Sequence, residues 1–198
     1  KRATSMIGWC GDGIVYVGNR NRWPEVANRA SFTVRWHDPV DDAWEVKIQP
    51  YYTYTHNYIN VVKIGSFTNG LSKLQFVNHN AQSYGINSSA RARLWKTDAY
   101  GTGEVRATLN WVRGQDLQNH SSLYHQMPTN GTIGLYETYR DLTGRIEVTL
   151  VKKKSTVDWI RSEPRTPGYV LLGIGGSYRW RNFLLDAGIE NICNTEYY

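Results

Sequence analysis

The chain has 198 residues, a formal net charge of +6, 13% aromatic residues and a mean hydropathy of −0.54. Its basic residues are scattered, apart from the run Lys152 to Lys154, and accompany no nucleic-acid motif, so no nucleic-acid partner is expected. No run of about 20 apolar residues offers a helical membrane span, Cys10 and Cys193 have no metal spacing, and no nucleophile elbow, HExxH or phosphate loop points to an enzyme.

Period-two alternation dominates from residue 31 onward, and it predicts strands. In "SFTVRW", Phe32, Val34 and Trp36 oppose Ser31, Thr33 and Arg35. After the turn 37–43, Trp44, Val46, Ile48 and Tyr52 oppose Glu45, Lys47 and Gln49. A long loop is expected at 60–73, then a strand ending near Trp95 and a short turn at 96–101. Next, Val105, Ala107, Leu109 and Trp111 oppose Glu104, Arg106, Thr108 and Asn110. A second long loop at 113–129 and a short turn at 140–143 bracket the following strand. Ile146, Val148 and Leu150 then oppose Arg145, Glu147 and Thr149. After a third long loop at 154–168, Val170, Leu172, Ile174, Tyr178 and Trp180 share a face with Gly176, and a tight turn at 181–182 leads to Phe183. Short and long connections alternate, which predicts an up-and-down antiparallel meander of about eight strands.

Hairpin registers consistent with these faces pair Trp180 with Phe183, Arg93 with Glu104, and Trp36 with Trp44. The last pairing sets Arg35 opposite Glu45. The apolar face could be the core of a soluble sandwich or the lipid face of an outer-membrane barrel. The strands run about 9–12 residues, nearer the tilted membrane strand of about 9–11 than the soluble mode of about 5–6. Trp36, Trp44, Tyr178, Trp180 and Phe183 gather beside short turns, the pattern of an interfacial girdle. The reading adopted is an all-β transmembrane barrel segment.

"YVGNRNRWPEVANRASFTVRW", "LQFVNHNAQSYGINSSARARLW", "SLYHQMPTN" and "EPRTPGYVLLGIGGSYRWRNFLLDAGIENICNTEYY" resemble, in order, stretches of the barrel of TonB-dependent outer-membrane receptors. Local departures are Arg20 and Arg22-Trp23, where Pro and Leu-Lys are usual, and "NICNTEYY" in place of "NLFDKxYY". The resemblance implies the C-terminal part of a barrel of about 22 strands, with residues 1–29 an extracellular loop and strand remnant and 30–198 the barrel portion. It implies bacterial outer-membrane localisation and active import of a scarce nutrient, most often a ferric siderophore or other metal chelate. The partners so implied are a plug domain and the remaining strands, TonB acting through the plug, outer-membrane lipid and lipopolysaccharide, and the chelate. No cofactor and no resident metal are expected. On this reading "CNTEYY" begins an outer loop.

Arg113, Tyr124, His125, Met127 and Arg161, on or beside the long loops, are the candidate ligand contacts: cations for an anionic chelate, rings for stacking, imidazole and thioether for soft metals. Arg91, Arg93, Glu104, Glu147 and Glu190 lie on the polar face, where they could bond a plug or pair with one another along the wall. Two other readings stay open at this stage: a small self-contained outer-membrane barrel serving as adhesin or anchor, and a soluble carbohydrate-binding sandwich.

Overall fold

The computed structural model describes residues 8–10, 14–66, 70 and 72–197. Among them are eleven strands and no helix long and apolar enough to cross a membrane. β3 (Val26–Ser31) and β4 (Val34–His37) form one broken strand along β5 (Trp44–Ser66). β6 (Ser72–Thr97), β7 (Gly101–Asp116), β8 (Asn130–Tyr139), β9 (Leu142–Val151), β10 (Tyr169–Trp180) and β11 (Phe183–Ile189) follow, each antiparallel to its neighbour. Counting β3 and β4 as one, these are the eight expected strands, in meander order. A hairpin of β1 (Gly8–Cys10) and β2 (Ile14–Val17) is added to them, β2 running parallel to the start of β6. The Cys10 side chain lies outside the described ones, and Cys193 carries a free, exposed thiol.

The predicted pairings Trp180↔Phe183 and Arg93↔Glu104 are observed. The first hairpin differs: Trp36 pairs with Val46 and Val34 with Ile48, two residues from the expected register. A slip of two preserves both faces, so alternation could not detect it. The turn sets it. The Asp38 carboxylate accepts bonds from the N–H groups of Val40 and Ala43, and the Asp38 N–H donates to the Trp44 carbonyl, closing a wider loop. Trp36 and Trp44 still meet edge to face at 5.1 Å, and Arg35 reaches Glu45 diagonally at 2.5 Å.

Of the loop expected at 60–73, residues 60–66 and 72–73 are strand instead. β5 and β6 stay paired as far as Ser66↔Ser72, with register shifts between Thr55 and Tyr58 and between Lys63 and Gly65. At Asn60 and Val61, 1% and 0% exposed, both faces are covered, so the apolar–polar contrast that reveals a strand is absent there. The chain's main buried cluster lies here: Ile14, Val61, Leu74 and Ile160, with Tyr16 and Phe76 against it. Elsewhere the apolar face is open. Ile146 is 52% exposed and Leu150 51%. A contiguous apolar sheet face of this kind belongs against lipid or another protein.

The tail leaves the ladder after Ile189. The Ile192 N–H donates to Leu172, the Thr195 hydroxyl donates to Val170, and Tyr197 stacks on Tyr169 at 4.6 Å. Residues 190–197 are bend, turn and irregular chain, in line with the expected loop, and these contacts tether them to β10. Asn191 and Asn194 take left-handed φ of 54° and 50°, which breaks the regular ladder while the chain keeps its course.

Candidate functional site

At the long-loop end the polar face carries a buried hydrogen-bonded network. Asp116 closes β7, and its side chain is fully buried. One carboxylate oxygen accepts from the Asn60 amide at 2.5 Å and from His79 Nδ1 at 2.6 Å. The other accepts from the N–H groups of Gln118 and Asn119, both at 2.9 Å, an Asx turn that starts the loop after β7. Burial, the largest single influence on the Asp116 carboxyl, pushes its pKa up. The Asn119 N–H, the Asn60 amide and His79 outweigh it and hold the carboxyl below its ordinary value.

Arg161, from the loop between β9 and β10, completes the network. Its Nη1 donates to Asn60 Oδ1 at 3.0 Å and to Asp158 Oδ2 at 2.8 Å, and its guanidinium lies 4.7 Å from the Tyr124 ring centre. Tyr124 stacks on His125 at 3.8 Å. The His125 N–H donates to Glu163, which also takes the Lys154 ammonium at 2.5 Å and the Asp158 N–H. Burial again pulls the Glu163 carboxyl upward, and Lys154 with those two N–H groups holds it low. Gly114 admits the loop: a Cβ there would strike Gln126 and Leu123. Two buried atoms, Asn119 Nδ2 and Ser121 Oγ, lack a partner among the described residues.

Of the predicted ligand contacts, the structure brings Arg161, Tyr124 and His125 together. Met127 stands apart at 67% exposure. Arg113 continues the row Val105, Ala107, Leu109, Trp111, on the face opposite Asp116. The sequence reading missed Asn60, His79, Asp116, Asp158 and Glu163. They are far apart in the chain and form no motif. Trp159, 67% exposed beside Arg161, was also missed.

Toward the short-turn end the polar face is laced laterally. Asp42 takes both its bonds from Arg91 at 2.6 Å, and Glu45 lies 3.7 Å from the same guanidinium. Glu104 pairs with Arg106 at 2.8 Å, and Arg106 lies over Tyr136. The Tyr136 hydroxyl donates to Glu147. Arg145, 3.5 Å from Glu147, crosses β10 to reach both oxygens of Asp186 on β11 at 2.6 and 2.9 Å. The crossing needs Gly175, since a Cβ there would sit 2.8 Å from the Arg145 guanidinium. Arg93 and Glu190 make no ion pair among the described residues, and Glu190 is exposed.

No protein-family model and no curated protein matches the sequence. Solved structures do resemble it. The copper transporter OprC is similar over 90% of the chain, at TM-score 0.74 and 19% identity. A mutant of the ferric enterobactin receptor PfeA from Pseudomonas aeruginosa is similar over 92%, at 0.66 and 17%. The ferric-catecholate import receptor Fiu from E. coli K12, in its closed form, is similar over 98%, at 0.57 and 15%. The chain spans 28%, 29% and 26% of those three proteins. At these identities the likeness shows the fold alone: the chain has the architecture of part of the β-barrel found in these three proteins.

Proposed function

We propose that the chain is part of an outer-membrane receptor that imports a metal chelate, with a plug domain and further strands completing the barrel and TonB driving the plug. The observation that carries this reading is the division of one open sheet into an apolar face and a charge-laced face, in the fold of the transport proteins named above. β11 pairs only with β10, and β3 and β4 only with β5, among the described residues. Such edges call for further strands. Arg93 and Glu190 are the polar-face charges we assign to plug contact, because Arg91, Glu104 and Glu147 already have partners on the wall.

At the long-loop end Tyr124 lies against the Arg161 guanidinium, and the loops there expose the Trp159 ring and the Met127 thioether. The exposed rings suit a chelate with flat aromatic arms. The network beneath holds those groups in place. The test is growth of a strain deleted for the full gene on single sources of ferric siderophore, copper or cobalamin, with outer-membrane fractionation of the protein. Loss of growth on one chelate, restored by the intact gene and not by a Trp159→Ala variant, supports the reading. Recovery of the protein in the soluble fraction overturns it.

A further inference from the structure

Between the charge-laced short-turn end and the buried network, the polar face carries two rows of amides and hydroxyls. Gln49, Asn87, Asn110 and Asn130 stand opposite one another across β5 to β8. Two residues nearer the short turns, Lys47, Ser89, Thr108, Thr132 and Thr149 do the same across β5 to β9. A pocket of about 240 Å³ opens between the rows, with Lys47, Gln49, Asn87, Ser89, Thr108 and Asn110 in its lining and no apolar residue there. It spans two strand spacings, roughly 10 Å, by two residues of strand, roughly 7 Å. Pockets for drug-sized ligands begin at roughly 300 Å³, so its occupant is small.

Toward β8 and β9 the polar groups are engaged within the wall. The Asn110 amide donates to Asn130 Oδ1 at 3.1 Å, the Asn130 amide donates to the Pro128 carbonyl, and the Thr132 and Thr149 hydroxyls share a bond. On β5 and β6 they are free: the side chains of Lys47, Gln49, Asn87 and Ser89 form no hydrogen bond or ion pair among the described residues. Neither row holds a carboxylate. The next polar-face residue of β5, Glu45, is held by Arg35 at 2.5 Å and lies 3.7 Å from Arg91. Lys47 is thus an ammonium without an anion, beside neutral donors and acceptors spaced one strand, about 5 Å, apart. The ammonium selects a carboxylate, and the amides and hydroxyls match hydroxyls along a short carbon chain. A phosphate dianion would call for a second free cation, and Arg91 and Arg106 in the next row are already paired.

We propose that this pocket binds a small polyhydroxylated carboxylate of the sugar-acid kind, its carboxylate on Lys47 and its hydroxyls on Gln49, Asn87 and Ser89. The site is separate from the long-loop groups assigned above to a chelate. It requires only that the polar face be wet, as it is in the lumen of a barrel.

The test is isothermal titration calorimetry of the full-length protein in mild detergent with three ligands. Gluconate carries both features, sorbitol keeps the hydroxyls and lacks the carboxylate, and hexanoate keeps the carboxylate and lacks the hydroxyls. One gluconate should bind. Sorbitol and hexanoate should each bind at least about ten-fold more weakly, the effect of losing one charge-assisted hydrogen bond or a pair of neutral ones. Lys47→Met removes the ammonium, keeps most of the stem and breaks no contact within the wall. It should weaken gluconate by about ten-fold and leave sorbitol unchanged. Asn87→Leu should weaken both. Sorbitol or hexanoate matching gluconate overturns the site, as does gluconate bound equally by the Lys47→Met protein. No gluconate bound at all also overturns it, the outcome expected if a plug domain covers this wall. Membrane fractionation is scored separately. Protein in the membrane that ignores gluconate refutes this site alone, whereas gluconate binding by protein outside the membrane keeps the site and refutes the outer-membrane reading.

Discussion

Replacing Asp116 by alanine should release the outer loops while leaving the membrane strands intact. The carboxylate accepts four bonds, two from side chains and two from loop N–H groups. The loop N–H groups lie near solvent and can turn to water. The other two donors cannot. Asn60 is 1% exposed, and the His79 side chain 13%. Leaving each unsatisfied costs about 1–3 kcal/mol, so the local penalty is about 2–6 kcal/mol. Even the lower end means a roughly 30-fold increase in loop opening. Amide hydrogen exchange on the full-length protein reads this directly. Amides of 117–123 should lose protection, while the β8–β9 ladder, which does not touch the network, serves as internal control. The folded Asp116 carboxyl titrates below its ordinary value of 3.8. Its contribution is therefore complete above that pH and fades as pH falls through the lower folded value. Loop protection in wild type should stay flat from about pH 5 upward and drop below about pH 4, whereas the variant should lack that acid step. Unchanged exchange at 117–123 in a correctly inserted Asp116→Ala protein would refute the argument that this carboxylate holds the loop.

Arg161→Ala strands the buried Asp158 carboxylate and removes the contact with Tyr124, so it should destabilise the long-loop end by about 3–5 kcal/mol. Protease nicking within 152–168 should rise, and Arg161→Lys should fall between the two. Gly175→Ala should push Arg145 off Asp186; the pair is open to solvent, so the effect on stability is small. A double-mutant cycle measures it, Asp186→Asn costing stability in the wild-type background and nothing beside Gly175→Ala. Trp36 and Trp44 should be quenched more strongly by lipids brominated near the headgroup than by lipids brominated at mid-chain, as interfacial residues are. The reverse order would place the short-turn end wrongly.

Strand number, face assignment and the tight turns were legible in the sequence, because they depend on neighbours two residues apart. Along 102–112, 144–151 and 169–180 the two faces meet different surroundings, and evolution must write that difference residue by residue. Two-residue connections such as Arg181–Asn182 then leave one sensible register. What alternation could not carry was decided by tertiary contacts. A slip of two residues at Trp36 keeps every side chain on its face, so the Asp38-capped turn chose between registers that look identical from the pattern. β5 loses alternation at Asn60 and Val61 because both faces there are covered by protein. The network at the long-loop end joins residues from four distant stretches, Asn60 and Arg161 being 101 positions apart. A buried carboxylate is tolerable only when its donors converge on it, and convergence belongs to the folded chain. The local code specified a two-faced sheet; only the three-dimensional arrangement made Asp116, His79, Asn60 and Arg161 one structure.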